Sequence, residues 1–252
     1  MPDSVNVKNK VICIMGGTGL IGAELVSGFA DCGANVFVGT RSPQKYKNKA
    51  RIQYLKIDVT SKQSIEGFLS TVIKANKKID VWINCAWPKT ENCMGPIETV
   101  DENIVLKDVL DHLTGFYLPC REIIAHMKKN RCGSIINFGS VYGDLSPDFR
   151  IYQETELSSP PSYPMIKGAI HTFTKYLACY MAPFNVRVNA VCPGGVLNKH
   201  SENFQKKYGS RIPLGRLANK EEIFGATLFL ASDASSYVTG HLLNVDGGLH
   251  AW

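Results

Sequence analysis

The sequence has no apolar run long enough to cross a bilayer. Its longest are strand-sized, whereas a spanning helix needs about 20 residues. Met1 to Lys10 is polar, so no secretory leader is visible, and a soluble cytoplasmic protein is expected. No Pro/Gly/Ser-rich linker, internal repeat or low-complexity tract divides the 252 residues. One domain over 1–252 is therefore expected, built on a single core. The eight cysteines, at 13, 32, 85, 93, 120, 132, 179 and 192, lack the paired short spacing of zinc sites, so no metal centre is expected. Several lie in apolar stretches, where cysteine acts as a small hydrophobe, and the pattern suits a reducing compartment. The net charge of +6 comes from dispersed lysines without aromatic stacking motifs, which argues against nucleic acid and for anionic small molecules.

What is present is a regular alternation. Apolar, β-rich runs recur at 11–15, 35–39, 52–57, 80–84, 134–139, 186–191 and 242–245, and helical patterns fall at 20–31, 61–76, 101–129, 163–181 and 220–231. This predicts an α/β fold: a Rossmann-type, doubly wound parallel sheet of about seven strands with helices on both faces. Ligands then bind past the carboxyl ends of the strands, which gathers Gly16, Asp58, Asn84, Ser140 and Pro193 along one edge.

Val11–Met15 is continuously apolar, as in a strand buried on both faces, and Gly16-Gly-Thr-Gly19-Leu20-Ile21-Gly22 follows it into a helical pattern. Glycines at 16, 19 and 22 allow a tight turn, a close approach to a pyrophosphate and close helix packing. Further on, Tyr163-Pro-Met-Ile-Lys167 places a phenol and an ammonium on one helix face, with Ser140 ending the run Ser134-Ile-Ile-Asn-Phe-Gly-Ser140. The lysine favours the ionised phenol and brings its pKa toward neutrality.

These segments resemble the short-chain dehydrogenase/reductase family, in its single-domain branch, over nearly all of the chain. The resemblance extends to Ile57-Asp58-Val59, Asp80-Val-Trp-Ile-Asn84-Cys85-Ala86, Leu113-Thr-Gly115, Asn185-Val-Arg-Val-Asn189, Pro193-Gly194-Gly195-Val196 and Val238 to Gly248. It implies that Tyr163 exchanges a proton with the substrate oxygen as hydride passes to or from a nicotinamide, that Ser140 polarises the carbonyl, and that Lys167 also holds the nicotinamide ribose. It further implies that Asp58 and Val59 receive the adenine, that Asn84, Cys85 and Ala86 line the cofactor, and that the backbone of Pro193, Gly194 and Val196 holds the carboxamide. Family members commonly form tetramers through the two long helices and the last strand, so a homo-oligomer, a tetramer, is expected.

Where an NAD-selective site carries an acidic residue after the second strand, this chain has Thr40 followed by Arg41. A guanidinium there can fork onto a 2′-phosphate, so NADP is expected in preference to NAD.

Four departures individualise the sequence. Leu20 stands where the branch has its middle glycine, and the 16/19/22 spacing is similar to that of the extended, sugar-nucleotide branch. Asn84-Cys85-Ala86-Trp87 replaces Asn-Asn-Ala-Gly, leaving Trp87 as either a substrate wall or simple packing. His112 replaces the asparagine of the family's proton relay, to be read as a surviving relay member, since imidazole both donates and accepts, or as a packed or capping histidine.

An insertion is the last departure. Residues 141–162 are longer than the family usually leaves between its serine and tyrosine, and both ends are anchored by candidate catalytic residues. Long loops cost little but are commonly functional at active sites, and Asp148, Arg150, Tyr152 and Glu154 are the candidate polar substrate contacts. The insertion is similar to that of reductases in surface-polysaccharide and flagellin-glycan biosynthesis, of the flagellin modification protein A type. The reading is an NADP-dependent oxidoreductase acting on a ketone or secondary alcohol, with a sugar derivative as the expected substrate. Alternatives are a 3-oxoacyl reductase, a sugar-nucleotide epimerase or dehydratase, and an inactive NADP-binding sensor or scaffold.

Overall fold

All five residues of β1 (Val11–Met15) are buried, because helices cover this strand on both sides. Val11, Cys13 and Met15 face one core and Ile12 and Ile14 the other, the two-residue period of a strand. The computed structural model describes residues 3–88, 90–155 and 157–251. The further strands are β2 (Asn35–Thr40), β3 (Ile52–Lys56), β4 (Val81–Asn84), β5 (Gly133–Phe138), β6 (Val186–Pro193) and β7 (Leu242–Val245). They form one sheet in the order β3-β2-β1-β4-β5-β6-β7, every neighbouring pair parallel.

The helices are α1 (Leu20–Asp31), α2 (Lys62–Asn76), α3 (Glu102–Asn130), α4 (Ser162–Met181), α5 (Glu202–Gly209) and α6 (Lys220–Ala231). Helices α2, α3 and α4 bury Phe68, Ile123 and Leu177 on one face of the sheet. On the other, α1 and α6 bury Phe29 and Leu230. The sequence pattern missed α5, whose eight residues, Glu-Asn-Phe-Gln-Lys-Lys-Tyr-Gly, offer only Phe204 and Tyr208 as an apolar stripe. Arg187 of β6 is held by the carbonyls of Leu230 and Ser232 at 2.9 and 3.1 Å and by Ser235 Oγ at 2.8 Å, which ties the end of α6 to the sheet.

Strand order reverses between β1 and β4, so the crevice beyond their carboxyl ends is the topological switch point, where α/β sheets bind ligands. No helix among the described residues is long and apolar enough to cross a membrane.

Candidate active site

The glycine turn opens this crevice. Gly16 has φ +82°, and a Cβ there would lie 2.5 Å from Ala86 Cα; a Cβ at Gly22 would lie 2.2 Å from the Gly16 oxygen. Both positions require glycine for the protein's own packing. A Cβ at Gly19 would meet only the Gly16 oxygen, at 3.6 Å, so its front is open. Gly19 caps α1 without a side-chain hydrogen bond, leaving first-turn amides directed at the crevice, the ordinary seat of a phosphate. These features fit a dinucleotide.

Two cavities flank the turn. The first, of about 570 Å³, is lined by Gly16, Thr40, Arg41, Asp58, Val59 and Ala86, all singled out from sequence. It also contains Ser42, Lys45 and Lys107, which sequence reasoning passed over. Lys45 lies four residues beyond Arg41 and read as one more solvated lysine. The Asp58 carboxyl is held below its ordinary range chiefly by the backbone N–H of Thr60, at 3.0 Å, and by the Thr60 hydroxyl, at 2.7 Å.

The second cavity, of about 490 Å³, brings together Leu20, Ile21, Cys85, Ala86, Trp87, Ser140, Tyr163, Lys167, Pro193, Gly194 and Val196, with Phe116 and Asn198 added by the structure. A polar stripe on α4 runs beneath it, of which Tyr163 and Lys167 line the cavity. Lys167 Nζ donates to the Phe138 carbonyl at 2.8 Å, His171 Nε2 lies 3.4 Å from the Ser140 nitrogen, and Thr174 Oγ1 accepts from Asn137 Nδ2 at 2.9 Å. Helical spacing thus lays Tyr163, Lys167, His171 and Thr174 along the end of β5.

The electrostatics differ from expectation. Burial raises the Tyr163 pKa, with the Ser140 hydroxyl pulling the other way; the Lys167 ammonium donates to the Phe138 carbonyl and sits 5.7 Å from the Tyr163 ring centre. Burial pushes Lys167 itself down to about 8.

Asn84 is also placed differently. Its side chain is buried, accepting from Trp82 Nε1 at 2.9 Å and donating to Asn137 Oδ1 at 2.9 Å. It stiffens the sheet beneath the site and lines neither cavity.

His112 is fully buried in α3. Its Nδ1 is 2.7 Å from the Asp108 carbonyl and 3.2 Å from the Asp108 carboxylate, which accepts from Ser162 Oγ at 2.5 Å. Its Nε2 has no hydrogen-bond partner among the described residues, and the Trp87 ring lies over it at 3.7 Å between centres. Burial lowers its pKa, keeping the imidazole neutral at pH 7.

The insertion corrects the sequence reading. Arg150 donates to both Asp148 oxygens at 2.8 Å, Arg211 Nε lies 3.1 Å from the same carboxylate, and exposed Glu154 pairs with Lys207 at 3.1 Å. Tyr152 bonds Tyr142 Oη at 3.2 Å and packs on Phe204. None of Arg150, Tyr152 or Glu154 lines the cavity beside Tyr163, because the insertion docks on α5 through Ile151. Its Tyr142 approaches the site, with the ring 6.3 Å from that of Tyr163 between centres.

A parallel sheet with a glycine turn at its switch point and a serine, tyrosine and lysine beside it defines a nicotinamide-dependent oxidoreductase. The profile of the enoyl-(acyl carrier protein) reductase family matches residues 19–250. The chain is 30% identical to the post-translational flagellin modification protein A of Campylobacter coli, over 96% of this chain and 98% of that one. It is 31% identical to the 3-oxoacyl-(acyl-carrier-protein) reductase FabG of Thermotoga maritima, over 97% and 99%. A crystal structure of a short chain dehydrogenase from Leptospira borgpetersenii with bound NAD+ superposes with a TM-score of 0.88 at 34% identity, covering 98% of this chain and 94% of that one. The protein belongs to the short-chain dehydrogenase/reductase family.

Proposed function

We propose that the protein is an NADPH-dependent reductase of a ketone carried by a sugar derivative, working as a homo-oligomer. The observation that carries the cofactor choice is the pairing of Arg41 with Lys45 in the first cavity, two cations where a 2′-phosphate would arrive and no carboxylate at the end of β2. The substrate choice is supported by the resemblance of the insertion to flagellin-glycan reductases and by similarity over nearly the whole length to a protein named for post-translational flagellin modification.

A bound nicotinamide supplies the hydride. Tyr163, kept protonated by burial, gives its proton to the carbonyl oxygen, and Ser140 holds that oxygen by hydrogen bonding. Lys167 stands below as the charge that steadies the developing alkoxide and the tyrosinate. Trp87 and Phe116 wall the cavity.

A second reading, reduction of a 3-oxoacyl thioester, is favoured by the apolar side chains of Leu20, Phe116 and Val196 in the same cavity. The test is NADPH oxidation against keto-sugars, sugar nucleotides and acyl thioesters. Turnover of a keto-sugar class supports the first reading, turnover of thioesters alone the second. NADPH binding with no carbonyl reduced would sink both.

A further inference from the structure

Of the four polar positions in the α4 stripe, Tyr163 and Lys167 belong to the chemistry just proposed and Thr174 to the sheet. His171 belongs to neither, although it is buried directly behind Ser140. Its Nδ1 lies 3.1 Å from Asp144 Oδ1, and its Nε2 faces the Ser140 nitrogen at 3.4 Å and the Cys192 sulfur at 3.2 Å. The carboxylate can only accept, so it fixes the proton on Nδ1 and leaves the Nε2 lone pair to two donors, the Ser140 N–H and the Cys192 S–H.

The chain is shaped around this ring. A Cβ at Gly139 would lie 2.4 Å from His171 Nε2, and one at Gly143 would lie 2.3 Å from Cε1. Gly139 and Gly143 therefore both close on the imidazole, and Ser140 lies in the turn between them.

We propose that His171, as the neutral imidazole oriented by Asp144, is a positioning residue: it accepts the Ser140 N–H and thereby sets the direction of the Ser140 hydroxyl. The catalytic part of this inference rests on the functional reading above, whereas the structural part does not. Protonation would turn Nε2 into a donor facing two donors and release the turn. Burial opposes that protonation most strongly, as do the charges of Lys167 and Lys175 on α4, while the Asp144 hydrogen bond and charge favour it. On the remaining sides the ring meets the Cys192 thiol of β6 and, through Asp144, His250 at 3.9 Å, itself bonded to Asp246 at 2.9 Å. The turn is accordingly tight at neutral pH and loosens on acidification.

Hydrogen exchange of peptides spanning Gly139–Tyr142, corrected for intrinsic rates and measured without substrate across pH, reads this directly. His171→Leu should speed exchange of the Ser140 amide by about tenfold, one net hydrogen bond, while the peptides of β1 and α1 are unchanged. His171→Gln, which can return an oxygen toward the amide, should restore most of the protection. Asp144→Asn removes the carboxylate that favours the imidazolium, so the acid loss of protection should move to lower pH. On the carbonyl turned over fastest in the panel, the acid limb of kcat should move with it, with NADPH affinity unchanged. Unaltered Ser140 protection in a folded His171→Leu protein, or an acid midpoint unmoved by Asp144→Asn, would overturn the proposal. Should His171→Leu not fold, the Gln and Asn variants decide it alone. If no carbonyl is reduced by the native protein, the functional reading fails, and the exchange data still decide whether His171 holds the turn.

Discussion

The Lys167 ammonium lies 4.7 Å from the centre of the Trp87 ring, and this contact joins the two halves of the site, because Trp87 lines both cavities. The same ring lies 5.1 Å from Tyr163 and 3.7 Å from His112 between centres. A cation over an indole is stabilised by the ring quadrupole. Trp87 is nonetheless 42% exposed, so it is open to contact by whatever enters.

It follows that Trp87 should report cofactor binding. Titration with NADPH is expected to quench tryptophan emission and, with Trp252 replaced by Phe so that two indoles remain, Trp87→Phe should remove the larger part of the quench, since Trp82 of β4 is fully buried. An undiminished quench in Trp87→Phe would show that the indole lies outside the occupied volume.

The cofactor choice has its own measurement. Arg41→Ala is expected to weaken NADPH by roughly 1.5–3 kcal/mol, the range for a hydrogen bond to a charged group, and to leave NADH nearly unchanged. Lys45→Ala should act in the same direction with a smaller effect, as expected of a more loosely held charge. Calorimetric titration giving equal losses for both cofactors would remove the argument for a 2′-phosphate site.

The site chemistry predicts a pH profile. Lys167 is depressed to about 8, so it is charged below that value and neutral above it. Tyr163 is raised, so its phenol stays protonated through the same range and is not the group that limits reduction. The alkaline limb of kcat/KM, which reports the free enzyme, should therefore fall near pH 8 and shift upward in Lys167→Arg, whose guanidinium keeps its proton. Tyr163→Phe should nearly abolish turnover while cofactor binding persists. An alkaline limb unmoved by Lys167→Arg would assign it to another group.

Much of this was legible in the sequence because it is local. The seven strands are apolar runs and the glycine turn is a contiguous string, so period and order give the sheet, and i, i+4 spacing gives the Tyr163–Lys167 face. What was hidden depends on contacts far apart in the chain. Nothing near Asn84 announces that its amide faces Asn137, 53 residues away. His171 reads as an ordinary polar position of α4 until Asp144 and Cys192 are placed around it. Arg150 and Glu154 looked like substrate contacts because the short helix that receives the insertion, α5, carries too little periodicity to be seen.

The Asn84–Asn137–Thr174 chain beneath the site should be costly to break. Asn137→Ala leaves the Asn84 amide without its oxygen acceptor inside the sheet, and an orphaned buried donor costs about 1–3 kcal/mol, to which the lost side-chain volume adds. Urea unfolding is expected to show a lowered midpoint with unchanged slope. A midpoint equal to that of the native chain would mean that the amides find other partners.

The insertion yields the last expectation. Arg150 and Glu154 are bound to Asp148 and Lys207 at the surface, so Arg150→Ala and Glu154→Ala should leave kcat and KM nearly unchanged. Ile151, by contrast, is buried with Phe204, Tyr208, Ile212 and Leu217. It pins the insertion to α5, whose Tyr208 also packs where a Cβ on Gly195 would fall, at 2.6 Å, beside the Pro193–Gly194 segment. An aspartate at 151 would bury an unpaired carboxylate in that cluster, detach α5 and widen the substrate side, while β1, α1 and the first cavity are untouched. Ile151→Asp should therefore raise the substrate KM by about tenfold or more with NADPH affinity retained, the signature of lost substrate binding at an intact cofactor site. If instead Arg150→Ala or Glu154→Ala raises KM while Ile151→Asp does not, the insertion touches the substrate directly and its docking on α5 is incidental.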